Sequence, residues 1–334
     1  MNMVFLGFDI GGTKCATIIA RKKRDGLEFL HRTQAATQGS WKEILNRLCE
    51  DAEKGLQTCG FTKADIAAIG VSCGGPLNAK SGLILSPPNL PGWNEVPVCE
   101  YMQKRFQAPV RLMNDADACA VAEWKFGAGK GCRHMAFLTF GTGLGAGLIL
   151  NGALYEGANN NAGEVGHIRI SPDGPPGYGK RGSFEGYCSG GGIAKLARSV
   201  MEERLQRGEA PQLLKNASLE AVSAKLLAER ARDGDEDALN IYRETGYRLG
   251  CGLSVLIDIL NPEKIVLGGI FMRAEDLLRD SMEKALRKEC LNNSLACVRI
   301  VPSKLEEKIG DYGAVVAAMS ALDERDHEAV QTIR

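Results

Sequence analysis

The chain has 334 residues, 44% of them hydrophobic and 25% charged, enough for one large domain or two ordinary ones. Lys+Arg and Asp+Glu both number 41, and a formal net charge of zero argues against an electrostatic grip on nucleic acid or an anionic membrane. The 11 cysteines are odd in number and show no C-x-x-C spacing, so they read as buried thiols of a reducing compartment rather than a disulfide framework. The histidines, His31, His134, His167 and His327, form no metal-type cluster, no signal-peptide pattern precedes Val4, and no apolar run is long enough to span a bilayer. A cytoplasmic protein with neither nucleic acid nor membrane as partner is expected.

Val4–Ile10 reads as a strand ending in the carboxylate of Asp9 and the turn Gly11-Gly12-Thr13-Lys14. A phosphate loop of the P-loop or dinucleotide-binding kind requires a helix after its glycines. Here Cys15–Ala20 follows, short and partly β-branched, and then the charged turn Arg21–Gly26, which favours a second strand. A third strand is expected around Phe29–Arg32. An amphipathic helix over Ser40–Thr58, a buried strand over Ala67–Ser72 and a tight turn at Cys73-Gly74-Gly75-Pro76 come next. Val98–Phe106 reads as helix and Pro109–Met113 as strand. Asn114-Asp115-Ala116-Asp117 heads an alanine-rich helix closed by Gly127. Met135–Thr139 is a strand that runs into Phe140-Gly141-Thr142-Gly143-Leu144-Gly145. Asn151-Gly152 after Leu148-Ile149-Leu150 predicts a hairpin there, not a nucleotide-binding helix. Helices are expected over Leu214–Asp233, near Ala238–Leu260, and over Glu275–Cys290 and Gly313–Leu322, with a charged tail from Asp323 that frays. The pattern is a duplicated β-β-β-α-β-α core, α/β in class, and suggests the two-lobed actin/hexokinase-like (ribonuclease H-like) architecture with an interlobe cleft. Its lobes are expected at 1–116 plus about 313–334 and at 117–312.

Asp9–Lys14 (DIGGTK), Pro88–Trp93 (PNLPGW), Asn114-Asp115, Phe140–Gly147 (FGTGLGAG), Ala162–His167 (AGEVGH) and Leu267–Gly269 (LGG) occur in this order over nearly the whole chain. Together they resemble the ROK family of sugar kinases and related repressors. The resemblance implies an ATP- and Mg²⁺-dependent hexose kinase, glucokinase-like, acting on the 6-hydroxyl. It implies Asp115 as the general base, with Gly75, Asn89, Asn114, Asp115, Glu164, His167 and Glu185 around the sugar. It implies Gly11, Gly12, Thr13, Lys14, Gly141, Thr142 and Gly143 at the phosphates, Gly268 and Gly269 along the nucleotide, and Asp9 on Mg²⁺ through water. Homodimers or homotetramers are common in such a family.

One departure stands out. Where many relatives carry a zinc motif of the form C-x-C-G-x-x-G-C-x-E, this chain has Pro176, Tyr178 and Ser183 at the cysteine positions; the motif's glycines and Glu185 remain, and of the zinc ligands only His167 is left. No zinc site is expected, and Tyr178 and Phe184 are expected to hold the loop by packing. Read without the resemblance, Asn114, Asp115 and Asp117 also suit a plain helix cap, and Asp9 a turn. Trp93 reads as a packing residue. A sugar-binding sensor of the same family without strong kinase activity is the alternative function. A repressor is disfavoured because no basic helix precedes Asp9.

Overall fold

The computed structural model describes residues 3–24, 26–215 and 218–331, without side chains from 323 onward. The chain forms two compact units, one of residues 1–127, 156–162 and 307–334, the other of residues 128–155 and 163–306.

The first unit opens with β1 (Val4–Ile10), β2 (Lys14–Lys23) and β3 (Gly26–Ala36), a meander in which β2 pairs antiparallel with both neighbours. The Gly-rich turn is therefore a hairpin, as the β-branched residues after it predict. β3 extends on both sides of the expected Phe29–Arg32. The helix α1 (Trp41–Thr58) packs Ile44, Leu45, Leu48, Cys49, Ala52 and Leu56 inward at helical spacing. Ser40 caps it in a full capping box: Glu43 N–H donates to Ser40 Oγ at 3.4 Å, and Ser40 N–H donates to the Glu43 carboxylate at 2.7 Å. Ser40→Ala should cost about 1 kcal/mol of stability, read as a lowered urea midpoint.

The strand β4 (Ile66–Cys73) runs parallel to β1. After the small ribbon β5 (Leu77–Asn78) and β6 (Leu83–Ile84) come α2 (Val98–Phe106), β7 (Val110–Asn114) and α3 (Asp115–Phe126). The sheet order is β3-β2-β1-β4-β7.

The second unit repeats the scheme. β8 (Met135–Leu138), β9 (Ala146–Leu150) and β10 (Ala153–Leu154) form a meander whose turn has Asn151 at φ 55° and Gly152 at φ 74°, the left-handed pair an Asn-Gly hairpin requires. The ribbon β11 (Pro176–Gly177) and β12 (Lys180–Arg181), then α4 (Phe184–Tyr187), α5 (Gly190–Gln206), α6 (Ala224–Arg232) and α7 (Glu236–Leu260), lead to β13 (Lys264–Leu267). After α8 (Ile270–Glu289) and α9 (Asn292–Cys297), β14 (Arg299–Pro302) completes the order β10-β9-β8-β13-β14. In each sheet the first strand pairs antiparallel with the second and parallel with the fourth, and the fourth parallel with the fifth.

Two helices differ from expectation. In place of one helix over Leu214–Asp233, short 3-10 turns at Gln212–Lys215 and Leu219–Ala221 precede α6, and residues 216 and 217 lie outside the described set. Ser223 takes the N–H of Leu226 on its hydroxyl and starts α6 there. α8 begins before Glu275, at Ile270, and is kinked at Ala274, whose φ is −138°.

The last helix, α10 (Ile309–Gln331), returns to the first unit and lies on β1 and β4. Gly7 and Gly70 are partners in that strand pair. A methyl group on Gly70 would lie 2.1 Å from the Ala314 carbonyl oxygen, and one on Gly7 3.0 Å from Ala314 Cβ. The two glycines form the floor on which Ala314, Val315 and Ala318 are buried. α3 also packs on α10, and the first unit accordingly runs to Gly127. The fraying expected of the tail from Asp323 concerns residues without described side chains; the helical backbone runs to Gln331.

Candidate active site

In the first unit, the hairpin between β1 and β2 is tied at its base by Gly11 N–H to the Lys14 carbonyl, 3.1 Å. Thr37, at the end of β3, braces it from the side: its hydroxyl donates to the Gly11 carbonyl at 2.6 Å, and its N–H to the Thr13 carbonyl at 3.0 Å. Gly12, Thr13 and Lys14 stay exposed. The backbone of Asn89 lies against Gly12, where a Cβ would stand 2.5 Å from the Asn89 carbonyl oxygen. Glycine is required there by close approach, and the PNLPGW loop is thereby joined to the hairpin. Trp93 of that loop is buried, a packing residue.

β7 delivers Asn114 and Asp115 to the start of α3. Asn114 takes the cap: its Oδ1 accepts from Ala116 N–H at 2.9 Å. Asp115 Oδ1 accepts from the same N–H at 2.8 Å, yet Asp115 is not the cap residue and its side chain is solvent-accessible. Gly74 and Gly75 border the pair; a Cβ on Gly74 would lie 3.7 Å from Asp115 Oδ2, and one on Gly75 3.4 Å from Asn114 Nδ2. Surrounding protein desolvates Asp115 and raises its pKa above the ordinary carboxylate value, while the N–H groups of Ala116 and of Asp115 itself pull it down.

Asp9, at the end of β1, is also raised, from 3.8 to about 6, first by burial and then by the negative charges of Asp115 and Asp311; Arg32 and Lys14 oppose the rise. Asp311 was not among the residues singled out in the sequence. It sits in the first turn of α10, where Arg32 Nε donates to both its oxygens at 2.9 and 2.8 Å. Its neighbour Gly310 lies beside the Asp9 carboxylate, which a Cβ there would approach to 2.8 Å. The pattern of a single chain segment gives no sign of a pair 279 residues apart.

In the second unit, the turn after β8 folds back with Gly141 N–H on the Gly143 carbonyl, 3.1 Å, and Gly145 N–H on the Thr139 hydroxyl, 3.0 Å. Leu144 N–H donates to the Glu185 carboxylate at 3.1 Å. Gly268 N–H donates to the Leu138 carbonyl at 3.0 Å, and Gly269, at φ 58°, leaves only 2.0 Å between a Cβ and the Phe140 carbonyl oxygen. The structure thus brings Gly141, Thr142, Gly143, Gly268, Gly269 and Glu185 together. Glu164 and His167 are exposed at the two ends of the 164–167 segment.

Zinc does not fit the residues that stand where its ligands would be. Ser183 Oγ is engaged with Gly186 N–H at 3.1 Å, and Lys180 carries its ammonium to the His167 carbonyl at 2.7 Å. The His167 ring stands T-shaped to that of Tyr178, ring centroids 6.2 Å apart. Of the two aromatics expected to hold the loop, Phe184 does so, fully buried against Gly252. Tyr178 is 70% exposed; Tyr187 takes that part, donating its hydroxyl to the Asp173 carbonyl at 2.9 Å. Among the described residues no group of three or more His, Cys, Asp or Glu could hold a metal ion, and no helix is long and apolar enough to cross a membrane.

The sequence profile of the ROK family matches residues 5–321. A glucokinase of Streptomyces coelicolor is 30% identical over 311 residues, 92% of this chain and 95% of that protein. Among solved structures, a ROK family glucokinase from Streptomyces griseus in complex with glucose and AMPPNP is similar with TM-score 0.76 and 29% identity, over 95% of this chain and 99% of that one. A ROK family transcriptional regulator, a homolog of the Escherichia coli MLC protein, is similar with TM-score 0.81 and 26% identity, over 97% of this chain and 79% of that one. The paired five-stranded sheets are those of the actin-like, hexokinase-type α/β fold.

Proposed function

The chain belongs to the ROK family, and we propose that it is an ATP-dependent hexose kinase that phosphorylates a sugar hydroxyl, the 6-hydroxyl of glucose being the first candidate. The observation that carries this reading is Asp115: exposed, one position past the cap that Asn114 fills, and held above the ordinary carboxylate pKa. Asp115 accepts the proton of the attacking hydroxyl as the transition state forms, and a raised pKa makes it a better acceptor. In the first unit, Asn89, Asn114 and the backbone at Gly75 are offered to sugar hydroxyls, Asn114 through Nδ2 because its Oδ1 serves the cap. In the second unit, taken by itself, Glu164, His167 and Glu185 are the side chains suited to sugar hydroxyls.

Each Gly/Thr turn, taken within its own unit, suits the phosphates of ATP, because backbone N–H groups and a hydroxyl meet phosphate oxygens without a side chain in the way. The carboxylate of Asp9, crowded by Asp115 and Asp311, suits a divalent cation held jointly with the phosphates and water. Mg²⁺, when bound, neutralises phosphate charge.

A regulatory reading, sugar binding without turnover, is favoured by one finding, the likeness to the MLC-type regulator. ADP release from Mg-ATP, measured against a panel of hexoses and N-acetylhexosamines, separates the two. Release that depends on one sugar is expected. A folded protein that binds a sugar by calorimetry and releases no ADP on any would establish the regulator.

A further inference from the structure

Glu185 is enclosed by glycines from four segments. A Cβ on Gly143, in the turn after β8, would lie 2.9 Å from Glu185 Oε2. One on Gly166, within the 164–167 segment, would lie 3.3 Å from Glu185 Cβ and 2.2 Å from the Leu144 carbonyl oxygen. One on Gly177, in β11, would lie 2.9 Å from Glu185 Cβ, and one on Gly192, in α5, 2.6 Å from the Glu185 carbonyl oxygen. With no side chain at any of these positions, the backbones close on the glutamate and fix where its carboxylate stands. Oε2 accepts from Leu144 N–H at 3.1 Å. Oε1 has no hydrogen-bond partner among the described residues.

A carboxylate held this way has one oxygen committed to the glycine turn and one to offer. We propose that Glu185 is a positioning residue for the nucleotide: through Oε2 it holds the Gly141–Leu144 turn in its phosphate-binding shape, and through Oε1 it receives a hexose hydroxyl, so that sugar binding tightens nucleotide binding. This rests on the kinase reading above. The segment that carries Glu164 and His167 packs on the same turn through Gly166, which adds a second link between sugar and turn. By linkage the effect is reciprocal: nucleotide tightens sugar by the same factor.

The test measures the affinity of Mg-AMPPNP by calorimetry, with and without a saturating amount of the panel's most active hexose, beside the KM values for ATP and sugar. In the wild type the sugar should tighten AMPPNP by about fivefold or more. In Glu185→Ala that gain should vanish, and AMPPNP alone should bind several-fold more weakly. Glu185→Gln should restore AMPPNP affinity in the absence of sugar, because its amide oxygen still accepts from Leu144 N–H. Gly143→Ala, whose methyl group displaces Oε2, should reproduce the Glu185→Ala result with the glutamate in place, so the outcome does not hang on the stability of one variant. Unchanged AMPPNP affinity and an unchanged sugar-induced gain in Glu185→Ala, whatever happens to the sugar KM, would overturn the proposal and leave Glu185 a sugar contact only. A wild type that binds AMPPNP but releases no sugar-dependent ADP removes the kinase reading, while AMPPNP affinity in the variants still decides the hold on the turn. A wild type that binds no nucleotide overturns both.

Discussion

Asp115→Asn should reduce kcat for sugar-dependent ADP release by about 10³-fold or more, with sugar affinity changed no more than a few-fold, within the range general-base removal typically shows. The replacement is nearly isosteric. The amide oxygen still accepts from Ala116 N–H, so the first turn of α3 is kept, and Asn114 continues to cap it. On the proposed mechanism the variant loses the proton acceptor, and with it an interaction made only as the hydroxyl attacks. kcat and kcat/KM should therefore fall together. Steady-state ADP release and sugar calorimetry on the same preparation check this; a variant that keeps a tenth of the wild-type kcat would remove Asp115 from the proton-transfer step.

Asp9→Asn should do two opposed things, a loss of activity of about 10- to 100-fold and a gain in stability at neutral pH. The sign follows from linkage. The folded state holds the Asp9 proton up to about pH 6, whereas the unfolded chain releases it near 3.8. Between those values the folded state binds more protons, so the Asp9 contribution to stability is fullest below 3.8 and is lost as pH rises through 6. At 1.36 kcal/mol per pKa unit the loss reaches about 3 kcal/mol at most. The asparagine variant carries no such loss. Urea denaturation should show it more stable than the wild type at pH 7.5, with the difference closing at pH 3.5. Mg-ATP should raise the melting temperature of the wild type more than that of the variant, because the proposal gives Asp9 the cation as its partner.

The core of the fold was readable because it rests on local chemistry. Whether a strand or a helix follows a glycine turn is written in the next six residues, and Cys15–Ala20 and the Asn151-Gly152 turn both said hairpin. Asn114 and Gly127 bracket α3 by cap preference alone. The candidate site was proposed only through its ordered motifs. That Thr37 would brace the hairpin, that Asp311 would stand near Asp9, or that Glu185 would hold Leu144 N–H depends on how distant segments meet, and no spacing within one segment encodes it. The helix expected over Leu214–Asp233 failed for a related reason: apolar periodicity runs through Ser218 and Ser223, but Ser223 restarts the backbone at α6.

The seating of α10 on Gly7 and Gly70 carries a consequence for the order in which the protein is made. β1 and β4 leave the ribosome early, but the helix that covers their glycine floor lies at residues 309–331 and leaves after every other element described. Residues 128–155 and 163–306 are all synthesised before it. The unit that begins the chain is thus the later of the two to finish, and during translation a strand pair with an uncovered apolar face waits for its closing helix while the other unit has all its residues in hand.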